Sequence, residues 1–380
     1  MPSYELNHVD MNDSIGLVLS GGGARTAFQV GVLKAISEWV SKSEIPFKVI
    51  AGTSAGSINA AYLAANADQF HRSVDTMVNM WGNLKTKNVY YSDIISSNYA
   101  KTLFNLFNKI RLGLDQTNSI LNALPLTKLL NDQIDFDRIQ HCINKGYLKS
   151  LAITATNFQY SMSTTFVQSN DQTEWERVRR SGVYQKIKVK HLMASTAIPF
   201  LFSPVKINNQ FYGDGSLRNF APFSPAIRSG ASSLIIIGTR SLKDPVIQNK
   251  KNISFGDIFS KILNTILFDS LDVDHERLLR INSTIAATNS KNSGLRPIQS
   301  IIIRPTVDIQ ELVNEYSYEC PKILRQLMKL IGSKNNGNDL KSYLLFEPGY
   351  LSALIDQGYR DAVSQKNEIL EVINNKKALE

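Results

Sequence analysis

The residues of this chain best suited to bond-breaking chemistry are a serine and an aspartate. Ser54 stands in Gly52-Thr53-Ser54-Ala55-Gly56, and Asp214 in Tyr212-Gly213-Asp214-Gly215-Ser216. A G-x-S-x-G run at a strand-to-helix turn makes a nucleophile elbow: the serine hydroxyl projects, and Gly52 and Gly56 allow tight backbone approach. The same letters also suit a serine that only caps a helix. A third stretch, Ser20-Gly21-Gly22-Gly23-Ala24-Arg25, sets three glycines directly after an apolar run. Such a loop can cradle a phosphate, or it can turn its N–H groups toward the oxyanion of a tetrahedral intermediate.

The phosphate reading loses on the letters. A dinucleotide fingerprint requires a third glycine where this chain has Thr26, and an acid where the second strand ends in Gly52-Thr53-Ser54. A phosphate-binding loop ending in Gly-Lys-Ser/Thr is also missing. A serine nucleophile needs a base. Of the five histidines (His8, His71, His141, His191 and His275), none sits in a glycine-bracketed turn. His275, among charged neighbours, reads as a solvated helix face, and His191 as a packed side chain. Asp214 does have glycines on both sides, which let a carboxylate approach another loop closely. Asp-Gly is also an ordinary turn pair. As the direct partner of Ser54, Asp214 would make a two-residue machine with no imidazole.

The elements that must position these groups follow from periodicity. An apolar strand at 15–19 leads into the glycine loop, and Phe28, Val32, Ile36 and Trp39 recur at helical spacing after it. A second strand at 47–51 ends at Gly52 and precedes a small-residue helix at 58–65. This alternation predicts an α/β sandwich with a mostly parallel sheet. Both loops would then open at the carboxyl edge, where ligands bind in such sheets. Further strands are expected at 151–156, 164–168, 233–238 and 300–304. A hairpin at 205–212 turns on Asn208-Asn209 and delivers Asp214. Residues 85–130 carry an amphipathic, basic stretch (Leu103 to Leu114, with Lys101, Lys109 and Arg111) that reads as a lid or as a packed surface helix. Stretches 289–297 and 332–339 read as loops, and the chain from about 306 onward as helical.

The chain has 380 residues, and its 43% hydrophobic and 20% charged residues describe a globular protein with a substantial core. No apolar run approaches the ~18 residues of a membrane span. The polar start carries no secretory signal pattern, and two cysteines make no disulfide framework. The expected location is cytoplasmic or at a membrane periphery, with signal-less export left open. A net charge of +9 favours an anionic partner. The densest basic run, Arg177 to Lys190, reads either as a patch for anionic lipid headgroups or as an edge strand guarded by alternating lysines. Nucleic acid is not expected, for want of a zinc pattern, an aromatic platform or a basic docking helix.

The set S-G-G-G-x-R, G-T-S-A-G and a later D-G resembles the patatin-like phospholipase family, notably its bacterial members. Ala194-Ser195-Thr196-Ala197-Ile198-Pro199 and Ser342-Tyr343-Leu344-Leu345-Phe346 extend the resemblance across roughly residues 14–365. It implies a three-layer sandwich with a helical C-terminal region: a polar tail at 1–13, a catalytic domain at 14–305, and helices at 306–380 packed on the same domain. It also implies a lipid acyl hydrolase of phospholipase A type, working through an acyl-enzyme and needing neither metal nor cofactor. An acyltransferase using the same serine and a non-catalytic lipid-binding module are the alternatives. By this resemblance Ser54 is the nucleophile and Asp214 its activator. Gly21, Gly22, Gly23 and Arg25 form the oxyanion hole, and Gly213 and Gly215 flank the aspartate. Its partners would be an anionic phospholipid surface and, as a further candidate, a protein activator. One departure is Ser216, where the family commonly has glycine or alanine; its hydroxyl could compete for Asp214.

Overall fold

The computed structural model describes residues 14–92, 119–172, 174–241, 255–288, 295–330 and 338–374. The polar tail at 1–13, the Leu103–Leu114 stretch and the greater part of the two expected loops lie outside these residues. The strands are β1 (Ile15–Leu19), β2 (Val49–Thr53), β3 (Ser150–Asn157), β4 (Met162–Ser169), β5 (Trp175–Arg177), β6 (Arg180–Tyr184), β7 (Val205–Ile207), β8 (Gln210–Gly213), β9 (Ser233–Ile237) and β10 (Gln299–Ile303). They form one sheet in the order β10-β9-β1-β2-β3-β4-β6-β5, with the β7–β8 hairpin attached to β3. The run from β10 to β3 is parallel throughout. The remaining pairs are antiparallel except β4 with β6. The fold is therefore α/β with a mostly parallel central sheet.

Strands buried on both faces read as unbroken apolar runs, as in IGLVL of β1 and SLIII of β9. Alternation divides them between two cores. Leu17, Leu19, Ile235 and Ile237 point into the larger core, with Phe28 and Leu33 of α1 (Ala27–Trp39) and Leu63 of α2 (Gly56–Ala65). Val18, Leu234 and Ile236 point into a smaller core, with Phe223, Ala226, Leu271 and Leu278. Those last residues belong to the Ser224–Arg228 and Phe255–Thr288 helices or flank them. Helices thus cover both faces, which makes three layers.

The strand expected at 47–51 is β2 at Val49–Thr53, so Gly52 lies inside it, paired with Leu19 and Ile153. The basic run needs a larger correction. Arg177 and Arg180 do lie on the edge pair β5–β6, opposite one another. Lys186, Lys188 and Lys190 do not extend that edge. The strand stops at Tyr184, the Ile187 N–H donates to Gln168 Oε1 at 2.8 Å, and Val189–Ser195 is helical. The physical reason is local: His191 Nδ1 accepts the Lys188 N–H at 2.8 Å and closes the helix N-terminus.

The C-terminal helices pack onto the layer that carries the glycine loop. α1 crosses the Pro348–Ser364 helix at Gly31 and Gly358. A Cβ on Gly31 would enter the Ile355 carbonyl, and one on Gly358 the Phe28 carbonyl. The backbones can approach this closely only because both positions lack a side chain. Gly31→Ala, a helix-compatible substitution elsewhere, should here cost about 1–3 kcal/mol through overpacking, read as a lowered midpoint in chemical denaturation. An unchanged midpoint would refute the tight crossing.

Candidate active site

The β1–loop–α1 and β2–turn–α2 connections open side by side because β1 and β2 are adjacent and parallel. Ser54 sits between β2 and α2 with φ 52°, a left-handed conformation that costs a non-glycine residue roughly 1–3 kcal/mol. Two bonds hold it there. The Ser54 carbonyl accepts the Ser57 N–H at 2.9 Å, and the Ser54 N–H donates to Ser195 Oγ at 2.8 Å. The Ser195 hydroxyl in turn donates to the Thr154 carbonyl at 2.7 Å, tying the elbow to β3. The quoted motif contained Ser195, but nothing in its spacing told of this supporting role.

The β7–β8 hairpin brings the aspartate. Asn208 and Asn209 have φ 48° and 64°, the pair of left-handed residues that a two-residue hairpin turn demands. β8 ends at Gly213, opposite Thr156 of β3, so Asp214 emerges beside the elbow. The Asp214 N–H donates to the Ala197 carbonyl at 2.8 Å, and the Thr156 hydroxyl donates to the Asp214 carbonyl at 2.8 Å. The side chain is then committed to the site. Ser54 Oγ donates to Asp214 Oδ2 at 2.5 Å, and the Ser216 N–H donates to Oδ1 at 2.8 Å. The carboxylate is fully buried, with 0% exposure, and burial pushes its pKa up to about 6. The Ser54 hydroxyl and the Ser216 N–H and hydroxyl pull against that rise. Among the described residues no histidine hydrogen-bonds to Ser54 or Asp214. His191 is buried against Phe166 with its pKa lowered to about 4 by burial and by Lys190. His275 is not a solvated residue: it is half-buried beside Phe223, with Nε2 enclosed and its pKa lowered, mainly by burial.

The glycine loop lies against the serine. A Cβ on Gly21 would stand 2.8 Å from Ser54 Cβ and 2.9 Å from Ser216 Oγ. Gly23, with φ 55°, abuts the Tyr343 carbonyl. Gly56 begins α2 under the Leu19 and Ser20 carbonyls, and Gly215 opens a 3-10 turn against the Thr154 carbonyl. The Arg25 side chain turns toward the C-terminal region. Its Nε donates to Ser342 Oγ at 2.8 Å, its Nη2 lies 3.4 Å from Asp339 Oδ1, and its guanidinium stacks 4.2 Å over Tyr343. All three partners belong to the Asn338–Leu344 helix. Arg25 therefore ties the loop to the C-terminal region, whose polar and aromatic residues match its buried charge.

Ser54 forms part of the wall of a cavity of about 600 Å³. The wall is largely apolar, with Ile58, Trp81, Leu126, Leu130, Phe202 and Phe346 among its residues. The described end of the expected lid segment, from Ser119 to Leu130, makes one side of it. An apolar chamber beside a hydroxyl that is hydrogen-bonded to a carboxylate has the shape and polarity to hold a hydrocarbon chain with its carbonyl near that oxygen. No group of three or more metal-ligating side chains gathers among the described residues.

The family model described as patatin-like phospholipase matches residues 17–227, more than half of the chain. The chain belongs to the patatin-like phospholipase family. Lysophospholipase nte1 of Aspergillus terreus is 53% identical over 55 residues, which are 14% of this chain and 3% of that protein. Lysophospholipase NTE1 of Coccidioides immitis is 49% identical over a stretch of the same length and shares. The chain thus matches only a small part of these relatives' length. Among solved structures it is similar to VipD from Legionella pneumophila (14% identity, TM-score 0.39, 96% of this chain and 67% of that one). It is also similar to human GIVD cytosolic phospholipase A2 (11% identity, TM-score 0.43, 95% and 59%).

The Ser216 hydroxyl stabilises the ionised carboxylate, so Ser216→Ala should raise the Asp214 pKa further above about 6. The acid limb of any Ser54-dependent hydrolysis should then move to higher pH. An unmoved limb would mean that the hydroxyl does not act on Asp214.

Proposed function

We propose that this protein is a serine lipid acyl hydrolase of phospholipase A type, with Ser54 as nucleophile and Asp214 as its base. The observation that carries this reading is the 2.5 Å Ser54–Asp214 hydrogen bond at the wall of an apolar cavity. The acyl chain of a phospholipid lies in the cavity, and its ester carbonyl rests on Ser54. Ser54 Oγ attacks the carbonyl carbon while its proton passes to Asp214 Oδ2. The negative oxygen is met by N–H groups of the Gly21–Gly23 loop, fixed donors that need no reorganisation. The intermediate collapses, the C–O bond to the leaving alcohol breaks, and Asp214 returns the proton to that alcohol. Water, deprotonated by Asp214, then attacks the acyl-enzyme. Fatty acid leaves, and Ser54 regains its proton.

Residues 14–305 are assigned to the catalytic domain and 306–380 to a helical region on the same domain. The partner surface is a phospholipid membrane enriched in anionic lipid, approached peripherally; no helix among the described residues is long and apolar enough to cross a membrane. Support for an anionic surface comes from the edge of the sheet. Arg177 and Arg180 share one face of the β5–β6 pair, and Arg228 stacks 5.0 Å over Trp175 on that edge. Burial and the charge of Arg277 both lower the Arg180 pKa.

The test is fatty-acid release from vesicles of mixed phosphatidylcholine and phosphatidylglycerol. Wild type should release fatty acid in EDTA, and Ser54→Ala and Asp214→Asn should each lose at least 10³-fold. Equal release by all three would overturn the dyad. Because Asp214 must be ionised to act as base, the rate should fall as pH drops through about 6. A separate expectation concerns salt. Raising ionic strength from about 0.1 M to 1 M shortens the Debye length from roughly 10 Å to 3 Å, so vesicle binding should weaken. The turnover of a soluble ester should stay unchanged, and salt-insensitive vesicle binding would refute the electrostatic contribution.

A further inference from the structure

The mechanism above leaves unused a chain of fully buried polar side chains that runs from the cavity wall to the glycine loop. Trp81 lines the cavity, and its indole N–H donates to Asn59 Oδ1 at 2.9 Å. Asn59 Nδ2 donates to Gln29 Oε1 at 3.0 Å and to the Thr26 carbonyl at 3.2 Å. Gln29 Nε2 donates to the Ser20 carbonyl at 2.8 Å and to the Ile237 carbonyl at 3.3 Å. Gln29 and Asn59 both have 0% exposure, in helices α1 and α2 whose buried faces are mostly apolar. Two buried amides are costly unless every partner is supplied, and here each donor and acceptor finds one.

The destination of this chain is informative. In a trans peptide the C=O and the following N–H point in opposite directions. The Ser20 carbonyl is drawn inward by Gln29, so the N–H of the same peptide, that of Gly21, is turned the other way. The next peptide is held likewise: the Thr239 hydroxyl donates to the Gly21 carbonyl at 2.5 Å, which turns the Gly22 N–H. The carbonyl of Gly22 accepts the Arg25 N–H at 3.1 Å, and that of Gly23 accepts the Thr26 hydroxyl at 2.7 Å. Each carbonyl from Ser20 to Gly23 is thus pinned, while among the described residues the N–H groups of Gly21 and Gly22 donate to nothing. Gly21 is also the loop residue whose α-carbon abuts Ser54.

We propose that Gln29, held through Asn59 by Trp81, and Thr239 are positioning residues that orient the Gly21 and Gly22 N–H groups toward the transition-state oxygen at Ser54. This inference rests on the hydrolase reading. It goes further by assigning the work of aligning the loop to side chains that touch neither substrate nor reacting atoms, except for the Trp81 ring at the cavity wall. A loop with three glycines has little stiffness of its own, so donors not held from behind would sample many orientations.

The test measures kcat and KM for a soluble p-nitrophenyl alkanoate, together with the rate of Ser54 labelling by an alkyl fluorophosphonate, in the full chain. In that labelling the Ser54 oxygen bonds to phosphorus, fluoride leaves, and the phosphoryl oxygen occupies the same donors. Gln29→Met and Thr239→Val should lower kcat and the labelling rate about 10- to 100-fold, approaching the loss of a whole oxyanion donor. KM should stay within about threefold, because ground-state binding in the cavity is untouched. Thr239→Ser should restore most of the loss, because it returns the hydroxyl. Should Gln29→Met not fold, Asn59→Leu, which removes the amide that holds Gln29 and leaves the cavity wall in place, should give the same kcat-only loss. Unchanged kcat in folded variants, a loss carried by KM, or failure of Thr239→Ser to rescue would overturn the positioning role. Wild type indistinguishable from Ser54→Ala in both assays would overturn the hydrolase reading itself, and this inference with it. Active wild type with unaffected loop variants would overturn this inference alone.

Discussion

One hydrogen bond sets the terms for the rest of the structure: the Ser54 hydroxyl donates to an Asp214 carboxylate that has no contact with solvent. The two residues lie 160 positions apart in the chain, so no local preference can join them. The sheet does it. β2 ends at the serine, β3 runs beside β2, and the β7–β8 hairpin is hydrogen-bonded to the end of β3. The serine and the aspartate are therefore held by the same strand, through Ser195 and Thr154 on one side and Thr156 on the other.

Burying a carboxylate is unfavourable unless hydrogen bonds replace its water. Asp214 accepts from Ser54 and Ser216, yet its pKa still lies well above that of a solvated aspartate. A carboxyl poised near 6 is mostly ionised at neutral pH and is a stronger base than an ordinary aspartate. The sign of the linkage follows. Because the folded pKa is raised, the folded state binds this proton more tightly than the unfolded chain does. The associated stability is fully present below the ordinary aspartate pKa of 3.8 and is lost as pH rises through about 6. The buried carboxylate thus costs stability at neutral pH.

The C-terminal helices are part of this site rather than an addition to it. The Asn338–Leu344 helix receives the buried guanidinium of Arg25, supplies the carbonyl that Gly23 packs against, and contributes Tyr343 and Leu344 to the cavity wall. The Pro348–Ser364 helix lies so close to α1 that glycine is needed on both sides of the crossing. The glycine loop is consequently enclosed by structure on each flank: the sheet ends before it, α1 after it, and the C-terminal region outside it.

Much of this architecture was legible in the letters, for a physical reason. A strand buried on both faces has to be continuously apolar, and a sharp left-handed turn asks for small residues around it, so β1, β2, β9 and the Gly52–Gly56 elbow announce themselves locally. The pair Asn208-Asn209 marked its hairpin in the same way. The sequence by itself thus determined the order of elements, the serine on its turn and the aspartate between its glycines. Other roles had no local signature. The family resemblance gave Arg25 to the oxyanion loop, and nothing near it in the sequence told that its guanidinium meets Asp339, more than three hundred residues away. Lys186 and Lys188 alternated as an edge strand would, until His191 closed a helix there. Gln29 and Asn59 carry no pattern of their own in the sequence, and Ser195 entered only as part of a run that extends the family resemblance. Only the tertiary structure decided that each faces a particular buried carbonyl, amide or N–H, because a buried polar group is defined by its partners, and partners distant in sequence meet only when the sheet has formed.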